Sequence, residues 1–175
     1  SYDNLNVIAL PTGNYLNLGV PRDYEDFMYW QKTISDLIYQ NNKYYDFPKL
    51  SNSTLVMPAA GLGLRFKGTY EKPKPLIDIG NGNPMFNEAI DHSFFKPENA
   101  VVISRKDLDY FDDFKNEVED NQYDFVGLDK ITAGQAITVL KGLDHVKSDQ
   151  IVIVNSCDQG ILFDESKFFE IYPDS

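Results

Sequence analysis

The chain has 175 residues, of which 42% are hydrophobic and 25% charged, values typical of a globular protein rather than a disordered one. Its 27 acidic and 16 basic residues give a formal net charge of −11, which argues against a surface that binds a nucleic acid polymer. The single cysteine, Cys157, excludes an internal disulfide, and no apolar run reaches the roughly 20 residues of a membrane helix. These features predict a protein of a reducing compartment, the cytoplasm, with no membrane and no nucleic acid as partner.

The first 53 residues predict a short strand–helix segment and a linker. An apolar run at residues 6–10 and an extended run at residues 15–18 predict two strands. Asp23 is predicted to cap a helix that continues to about Gln40, because apolar residues follow it at helical spacing. Residues 41–53 are rich in Asn, Lys, Tyr and Ser, which is typical of a linker.

From Thr54 onward, apolar strands alternate with amphipathic helices. Strands are predicted at residues 55–57, 100–104, 123–128 and 150–155, and helices at residues 84–95, 108–118 and 133–145. This alternation predicts an α/β fold, a three-layer sandwich with a Rossmann-like, doubly wound and mostly parallel sheet. Residues 54–175 are therefore predicted to form one domain, with ligand sites at the carboxyl ends of its strands.

A glycine-containing segment directly follows the first predicted strand of this domain. Residues 59–66 read Ala-Ala-Gly-Leu-Gly-Leu-Arg-Phe. Glycines at such a position let backbone N–H groups approach a phosphate, and Arg65 would add a permanent charge. The segment matches neither the dinucleotide-binding fingerprint nor a P-loop, because position 66 is Phe and no Gly-Lys-Ser/Thr follows. By itself it is equally compatible with a simple turn.

A second candidate segment, residues 71–76, reads Glu-Lys-Pro-Lys-Pro-Leu. The two prolines restrict the backbone on both sides of Lys74, so its ammonium group would be positioned for a phosphate at low entropic cost. By itself this segment is also compatible with an exposed rigid loop that carries ordinary lysines.

Taken in order, these segments resemble the opening of the sugar-phosphate nucleotidyltransferases. That family has a pattern close to A-A-G-x-G-T-R-F, then P-K-P-L, then a turn such as G-K-P-M into a helix. Residues 59–66, 72–76 and 83–86 are similar to these three elements, although Leu64 stands where the family commonly has Thr. Two later segments, residues 131–141 and 151–159, resemble further stretches of the same family. The resemblance implies a fold of the nucleotide-diphospho-sugar transferase type.

The resemblance also assigns roles to individual residues. Arg65 and Lys74 would be the catalytic residues, which hold the NTP phosphates at the reacting centre. The nucleotide would contact a set of small and polar residues: Ala60, Gly61, Gly63, Gly134, Gln135 and Ala136. Asp158 would bind Mg²⁺, which takes oxygen ligands from one or two carboxylates, from phosphates and from water.

One part of the family's pattern lies in an unexpected place. A complete member is longer than residues 54–175, since a second half binds the phosphorylated acceptor and supplies a second metal-binding Asp. Residues 14–25 resemble that late segment, roughly Y-x-D-x-G-T-P-E-D-Y, with Asn17 in place of the Asp. We therefore expect residues 1–53 to end a preceding nucleotidyltransferase domain, and residues 54–175 to form a truncated second one. A permuted or abbreviated single domain is the alternative.

The implied function joins an NTP to a phosphorylated sugar or similar small acceptor, with release of pyrophosphate, in the synthesis of cell-surface polysaccharide precursors. Activity of this chain by itself, and a homo-oligomeric state, are left open. A non-catalytic nucleotide-binding domain is one alternative, which Asn17, Leu64 and the short chain favour. A GT-A glycosyltransferase is another, which the lack of an Asp-x-Asp at residues 156–158 disfavours.

Overall fold

The computed structural model describes residues 14–29, 49–79, 82–91, 93 and 96–162. Its strands in these ranges are β1 (Asn14–Asn17), β2 (Lys49–Pro58), β3 (Lys96–Arg105), β4 (Asp124–Leu128), β5 (Ile151–Val154) and β6 (Gln159–Leu162). Its helices are α1 (residues 21–29), α2 (Met85–Asp91), α3 (Phe111–Asp120) and α4 (Gln135–Leu143), and a 3₁₀ turn covers Lys74–Leu76. Among the described residues, no helix is long and apolar enough to cross a membrane. The strand predicted at residues 6–10 and the helical residues 30–40 lie outside these ranges.

Four strands form one parallel sheet in the order β4-β3-β2-β5. β2 pairs with β3 on one side, where Leu55 lies opposite Ala100, and with β5 on the other, where Leu55 lies opposite Ile153. β4 pairs with β3 and completes the sheet. The predicted α/β, Rossmann-like three-layer fold is therefore confirmed, and the three predicted strands at residues 55–57, 100–104 and 150–155 are parallel neighbours.

The two faces of the sheet are covered by different helices. On one face, α2 and α3 pack through Phe86 and Phe114, whose rings meet edge to face at 5.3 Å between centroids, in a core that includes Leu55. On the other face, α4 packs against Val56 and Ile103. Alternation along each strand produces this division, because successive side chains point to opposite faces. Each fully buried side chain of this kind contributes about 1.5–3 kcal/mol to folding.

A glycine allows α4 to lie close to the sheet. A Cβ atom at Gly142 would lie 2.5 Å from Ile103 Cδ1 and 2.7 Å from Val56 Cγ1. Both distances are shorter than carbon atoms tolerate, so a larger residue would push the helix or these side chains outward.

Residues 14–28 pack onto the loop that follows β2. β1 pairs with β6 in an antiparallel two-stranded sheet, and β6 was not predicted. Leu18 and Tyr24 are buried in a second core cluster with Phe66 and Ile77. The Tyr24 hydroxyl donates to the backbone oxygen of Asp78 at 2.5 Å. Apolar contact and hydrogen bonding thus join the N-terminal segment to the region between β2 and α2.

Two predictions for the first 53 residues are wrong. Asp23 does not cap α1, because residues 21 and 22 are already helical, and proline at position 21 suits a first helical turn. Residues 49–53, predicted as linker, belong to β2, where Leu50 and Ser53 are buried. A register shift between Leu50 and Thr54, with Asn52 at a φ of 51°, places these polar residues in the strand.

The three helices of the domain begin later than predicted. α2 begins at Met85 rather than at Pro84, whose carbonyl accepts hydrogen bonds from the N–H groups of Asn87 and Glu88. α3 begins at residue 111 instead of 108, and α4 at residue 135 instead of 133. Apolar periodicity locates a helix but does not mark its first residue, which depends on the turn before it.

Candidate functional site

The candidate site lies at the carboxyl ends of β2 and β5. From β2 the chain adds β3 and β4 on one side, and then places β5 on the other side of β2. The order of the strands therefore reverses between β2 and β5. Ligands of open α/β sheets bind at such a switch point.

The loop after β2 forms one wall of a cleft of about 310 Å³, which is lined by residues 62–66 together with Gly19 and Lys74. Gly63 turns the loop at a φ of +59°, a left-handed conformation that glycine adopts without strain. The Phe66 N–H donates to the Gly63 carbonyl at 2.9 Å, and the buried Phe66 ring anchors the loop. Gly61 is exposed and is not part of the cleft wall.

Arg65 extends from this loop with an exposed side chain. Its Nη1 atom lies 3.5 Å from the carbonyl oxygen of Gly19, at the limit of a hydrogen bond. A guanidinium held so weakly retains most of its donors for another acceptor. Arg65 therefore supplies a permanent positive charge at the cleft.

Lys74 reaches the same cleft from the 3₁₀ turn. Pro73 is extended and Pro75 is buried, so the backbone on both sides of the lysine is restricted, as the sequence predicted. The Lys74 ammonium lies 5.5 Å from the centroid of the Phe66 ring, within the range of a cation–π contact. The lysine is thus packed against the residue that anchors the glycine loop.

Asp158 follows β5 and forms an ion pair with Lys74. Lys74 Nζ lies 2.5 Å from Asp158 Oδ2, and both side chains are largely shielded from solvent. The sequence predicted Lys74 for a phosphate and Asp158 for a metal ion, but it did not predict that the two side chains contact each other. The structure brings Gly63, Arg65, Lys74 and Asp158 together.

Asn155 shapes the turn that carries Asp158, and the sequence analysis missed it. Its buried side-chain amide donates to the carbonyl oxygens of Ala89 and Gln159, and its Oδ1 accepts from the Ser156 N–H. An amide directly after an apolar strand is a signal that could have identified it, since buried amides need partners.

Cys157 lies beside Asp158 but has the properties of a core residue. Burial, and next the charge of Asp158, raise the pKa of the Cys157 thiol to about 12. A thiol that stays protonated is a poor nucleophile and a poor metal ligand. Cys157 therefore packs as a small apolar core residue.

A second residue that the sequence analysis missed is Arg105, at the end of β3. Its side chain is 6% exposed and binds both carboxylate oxygens of Asp107, at 2.9 and 2.5 Å. Its Nη1 atom has no partner among the described residues. Nearby, the Tyr110 hydroxyl donates to the Gly61 carbonyl at 3.4 Å, which connects the turn after β3 to the glycine loop.

The remaining predicted residues lie apart from the cleft. Ala60 connects β2 to the glycine loop but does not line the cleft. Gly134, Gln135 and Ala136 are exposed at the start of α4, where Thr138 donates to the Gly134 carbonyl. Because α4 follows β4, this end of the helix faces the same edge of the sheet. The structure therefore puts these residues near the edge but not in the cleft wall.

The backbone of Asn17 lies next to Asp158. Asn17 pairs with Gln159 across β1 and β6, and the Leu18 N–H donates to the Asp158 carbonyl at 3.0 Å. The segment that resembles the family's late metal-binding stretch is thus adjacent to the stretch that carries Asp158.

The protein oxygen ligands available at Asp158 satisfy only part of the coordination shell of Mg²⁺. Within the described residues, no three His, Cys, Asp or Glu side chains form a group that could hold a metal ion. One carboxylate agrees with Mg²⁺ chemistry if phosphate oxygens and water complete the shell. Asp158 and a nucleotide would therefore have to hold the ion together.

Comparison of this chain with protein-family models and with curated protein sequences gives no match.

Proposed function

We propose that this chain binds an NTP in the cleft formed by the loop after β2, Gly19 and Lys74, and that it belongs to a sugar-phosphate nucleotidyltransferase. The observation that carries the proposal is the convergence of Gly63, Arg65, Lys74 and Asp158 at the switch point of the sheet. Two cations and a glycine turn suit a polyphosphate, and the carboxylate beside them suits its divalent cation.

The proposed reaction is an in-line displacement at the α-phosphorus of the NTP. A phosphate oxygen of the acceptor forms the new bond, the bond to the bridging oxygen of the β-phosphate breaks, and pyrophosphate leaves. Arg65 and Lys74 stabilise the negative charge that develops on the phosphates, so catalysis consists of positioning and charge neutralisation. Mg²⁺ held at Asp158 would add a further positive charge at the same phosphates.

The substrate assignment follows the family resemblance. The exposed turn at Gly134, Gln135 and Ala136 is the proposed contact for the base, since it lies at the same edge of the sheet as the cleft. The acceptor is a phosphorylated sugar or a similar small molecule, used for cell-surface polysaccharide precursors. We place the reaction in the cytoplasm, which the single cysteine suits.

Calorimetric titration of the four common NTPs with Mg²⁺, followed by a pyrophosphate-release assay with a panel of sugar phosphates, tests the proposal. We expect one NTP to bind with a micromolar dissociation constant, a typical value for a nucleotide substrate, and to release pyrophosphate with one acceptor. NTP binding without pyrophosphate release, on this chain and on a longer one, would indicate a non-catalytic nucleotide-binding domain. Selective binding of a nucleotide-sugar would indicate a glycosyltransferase, and the absence of any nucleotide binding would contradict the proposal.

A further inference from the structure

Lys74 and Asp158 form an ion pair, but the two residues have different proposed ligands. Lys74 Nζ lies 2.5 Å from Asp158 Oδ2, and the side chains are 17% and 16% exposed. Lys74 is proposed to bind a phosphate and Asp158 a cation. Lys74 has further N–H donors and Asp158 a second oxygen, but each ligand would compete with this contact for the charge that attracts it.

An ammonium group at Asp158 opposes a second cation there. It neutralises the carboxylate and repels any cation that approaches the same oxygen. This repulsion is stronger than between surface charges, because partial burial reduces screening by water and salt. Within the described residues, Asp158 belongs to no cluster of three or more His, Cys, Asp or Glu side chains that would offset it.

The Lys74 side chain contacts Asp158 and also lines the cleft. Its Cβ is fixed by the 3₁₀ turn and would lie 3.5 Å from a Cβ atom built on Gly63. Beyond Cβ, the flexible stem of a lysine lets the ammonium change partners without movement of the backbone. Since Arg65 also lines the cleft, a polyphosphate bound there would be close to both cations.

We propose that Lys74 and Asp158 form an exchange pair, which couples the binding of a polyphosphate to the binding of a divalent cation. Without a polyphosphate, the Lys74 ammonium occupies Asp158 and keeps cations away. A polyphosphate in the cleft attracts the ammonium, and the carboxylate is then free to bind a cation. Coupling between two ligands is reciprocal, so the cation strengthens polyphosphate binding by the same factor. This inference rests on the proposed function for its two ligands and adds the dependence of one on the other.

The first test measures Mn²⁺ binding to the full chain by electron paramagnetic resonance, with no nucleotide present. Lys74→Met removes the ammonium and keeps an unbranched side chain of similar length. Binding of Mn²⁺ to one carboxylate is weak without a nucleotide, and we expect it to become about tenfold tighter, within the usual range of coupling between sites. The control is Lys72→Met, which removes the same charge from an exposed neighbour and should change the affinity less than about twofold.

The gain has to depend on Asp158. In the double variant Lys74→Met/Asp158→Asn, we expect no tighter Mn²⁺ binding than in Asp158→Asn. If Lys74→Met binds Mn²⁺ no more tightly than Lys72→Met does, the exchange pair is wrong.

The second test changes Asp158 instead of Lys74, so it remains decisive if Lys74→Met does not fold. Inorganic tripolyphosphate is titrated by calorimetry in the presence of EDTA. Asp158→Asn should bind it about three- to tenfold more tightly than the unmodified chain, because the Lys74 ammonium is no longer held by a carboxylate. The control is Asp120→Asn, at the far end of α3. Equal binding by the two variants overturns the exchange pair.

Failure of the proposed function would produce a different pattern. If the chain selects no NTP and releases no pyrophosphate while both titrations show the expected gains, the exchange pair stands and the nucleotidyltransferase assignment fails. If NTP binding and pyrophosphate release occur while neither titration changes, the assignment stands and the exchange pair fails.

Discussion

Two lysine–aspartate ion pairs lie at the carboxyl edge of the parallel sheet and differ mainly in their surroundings. Lys74 and Asp158 join the loops that follow β2 and β5, and Lys106 and Asp129 join those that follow β3 and β4. The N–O distances are 2.5 and 2.8 Å. The first pair is 17% and 16% exposed, whereas the second is 55% and 79% exposed.

The topology of the sheet accounts for this difference. The strand order reverses between β2 and β5, where Lys74 lines the cleft beside the glycine loop and Asp158 contacts Lys74. The strands β3 and β4 follow one another in the same direction across the sheet, and their pair lies on the surface. Water screens a surface ion pair, which contributes about 0–1 kcal/mol to stability. Charges that are shielded from water are screened less, so they interact more strongly with a charged ligand. Shielding from water, more than contact distance, distinguishes the candidate site.

The largest difference between the two pairs is expected in nucleotide binding. Arg65→Ala or Lys74→Ala should weaken NTP binding by about 1.5–3 kcal/mol, the range of hydrogen bonds to charged groups. Lys106→Ala removes the same type of charge from the exposed pair and should leave the affinity unchanged. Calorimetry with Mg²⁺ and the preferred NTP measures all three variants. Equal effects of Lys74→Ala and Lys106→Ala would remove the distinction between the two pairs.

A smaller difference is expected in stability. Asp158→Ala leaves a partly shielded ammonium without its carboxylate and should reduce the free energy of unfolding by about 1–2 kcal/mol. Asp129→Ala, at the exposed pair, should reduce it by less than about 1 kcal/mol. Urea denaturation at neutral pH compares the two variants with the unmodified chain. If Asp129→Ala lowers the free energy of unfolding as much as Asp158→Ala does, solvent exposure does not determine how much each ion pair contributes to stability.

The smallest expected effect is a decrease in the free energy of unfolding at alkaline pH, caused by Cys157 in the turn after β5. Burial raises the pKa of the Cys157 thiol from 9.0 to about 12, so the folded protein keeps a proton that the unfolded chain loses above pH 9. The thiol's contribution to stability is therefore complete below pH 9 and is lost as the pH rises towards about 12. At pH 9.5 the expected loss is at most about 1 kcal/mol.

Urea denaturation at pH 7.5 and 9.5 checks this expectation, with Cys157→Ala as the comparison. The variant should lose less stability between the two pH values than the unmodified chain. Burial also raises the pKa of Tyr110, to about 12, so some alkaline loss should remain in both proteins. Identical losses would mean that the thiol ionises freely in the folded state.

Most of the parallel sheet was predictable because its signals are local. Runs such as residues 55–57 and 150–155 are apolar enough to predict strands, and the helices between them require right-handed parallel connections. Within the described sheet, however, β5 lies at the edge, and its Val152 and Val154 are exposed. The beginning of β2 was not predictable. Residues 49–53 are polar in composition, and they join the strand only because Leu50 reaches the core and Ser53 bonds to the Leu50 carbonyl.

Four of the residues named from the sequence lie close together in the structure, whereas five others lie outside the cleft wall: Ala60, Gly61, Gly134, Gln135 and Ala136. The sequence was sufficient to name these four, which are Gly63, Arg65, Lys74 and Asp158. Glycines, a lysine between prolines and an acidic residue after a strand can each be recognised from neighbouring residues. Asn155 was missed because its role depends on the Ala89 carbonyl, 66 positions away in the chain.

The sequence alone determined the type and order of the strands and helices between Thr54 and Asp158, because side-chain periodicity and backbone restriction act over a few neighbouring residues. Only the tertiary structure decided that Lys74 and Asp158, 84 positions apart, meet beside the glycine loop. That contact depends on the position of β5 next to β2, which the parallel pairing of the two strands fixes. It also depends on the packing of Phe66 beneath the lysine, and no local pattern encodes a contact over that separation.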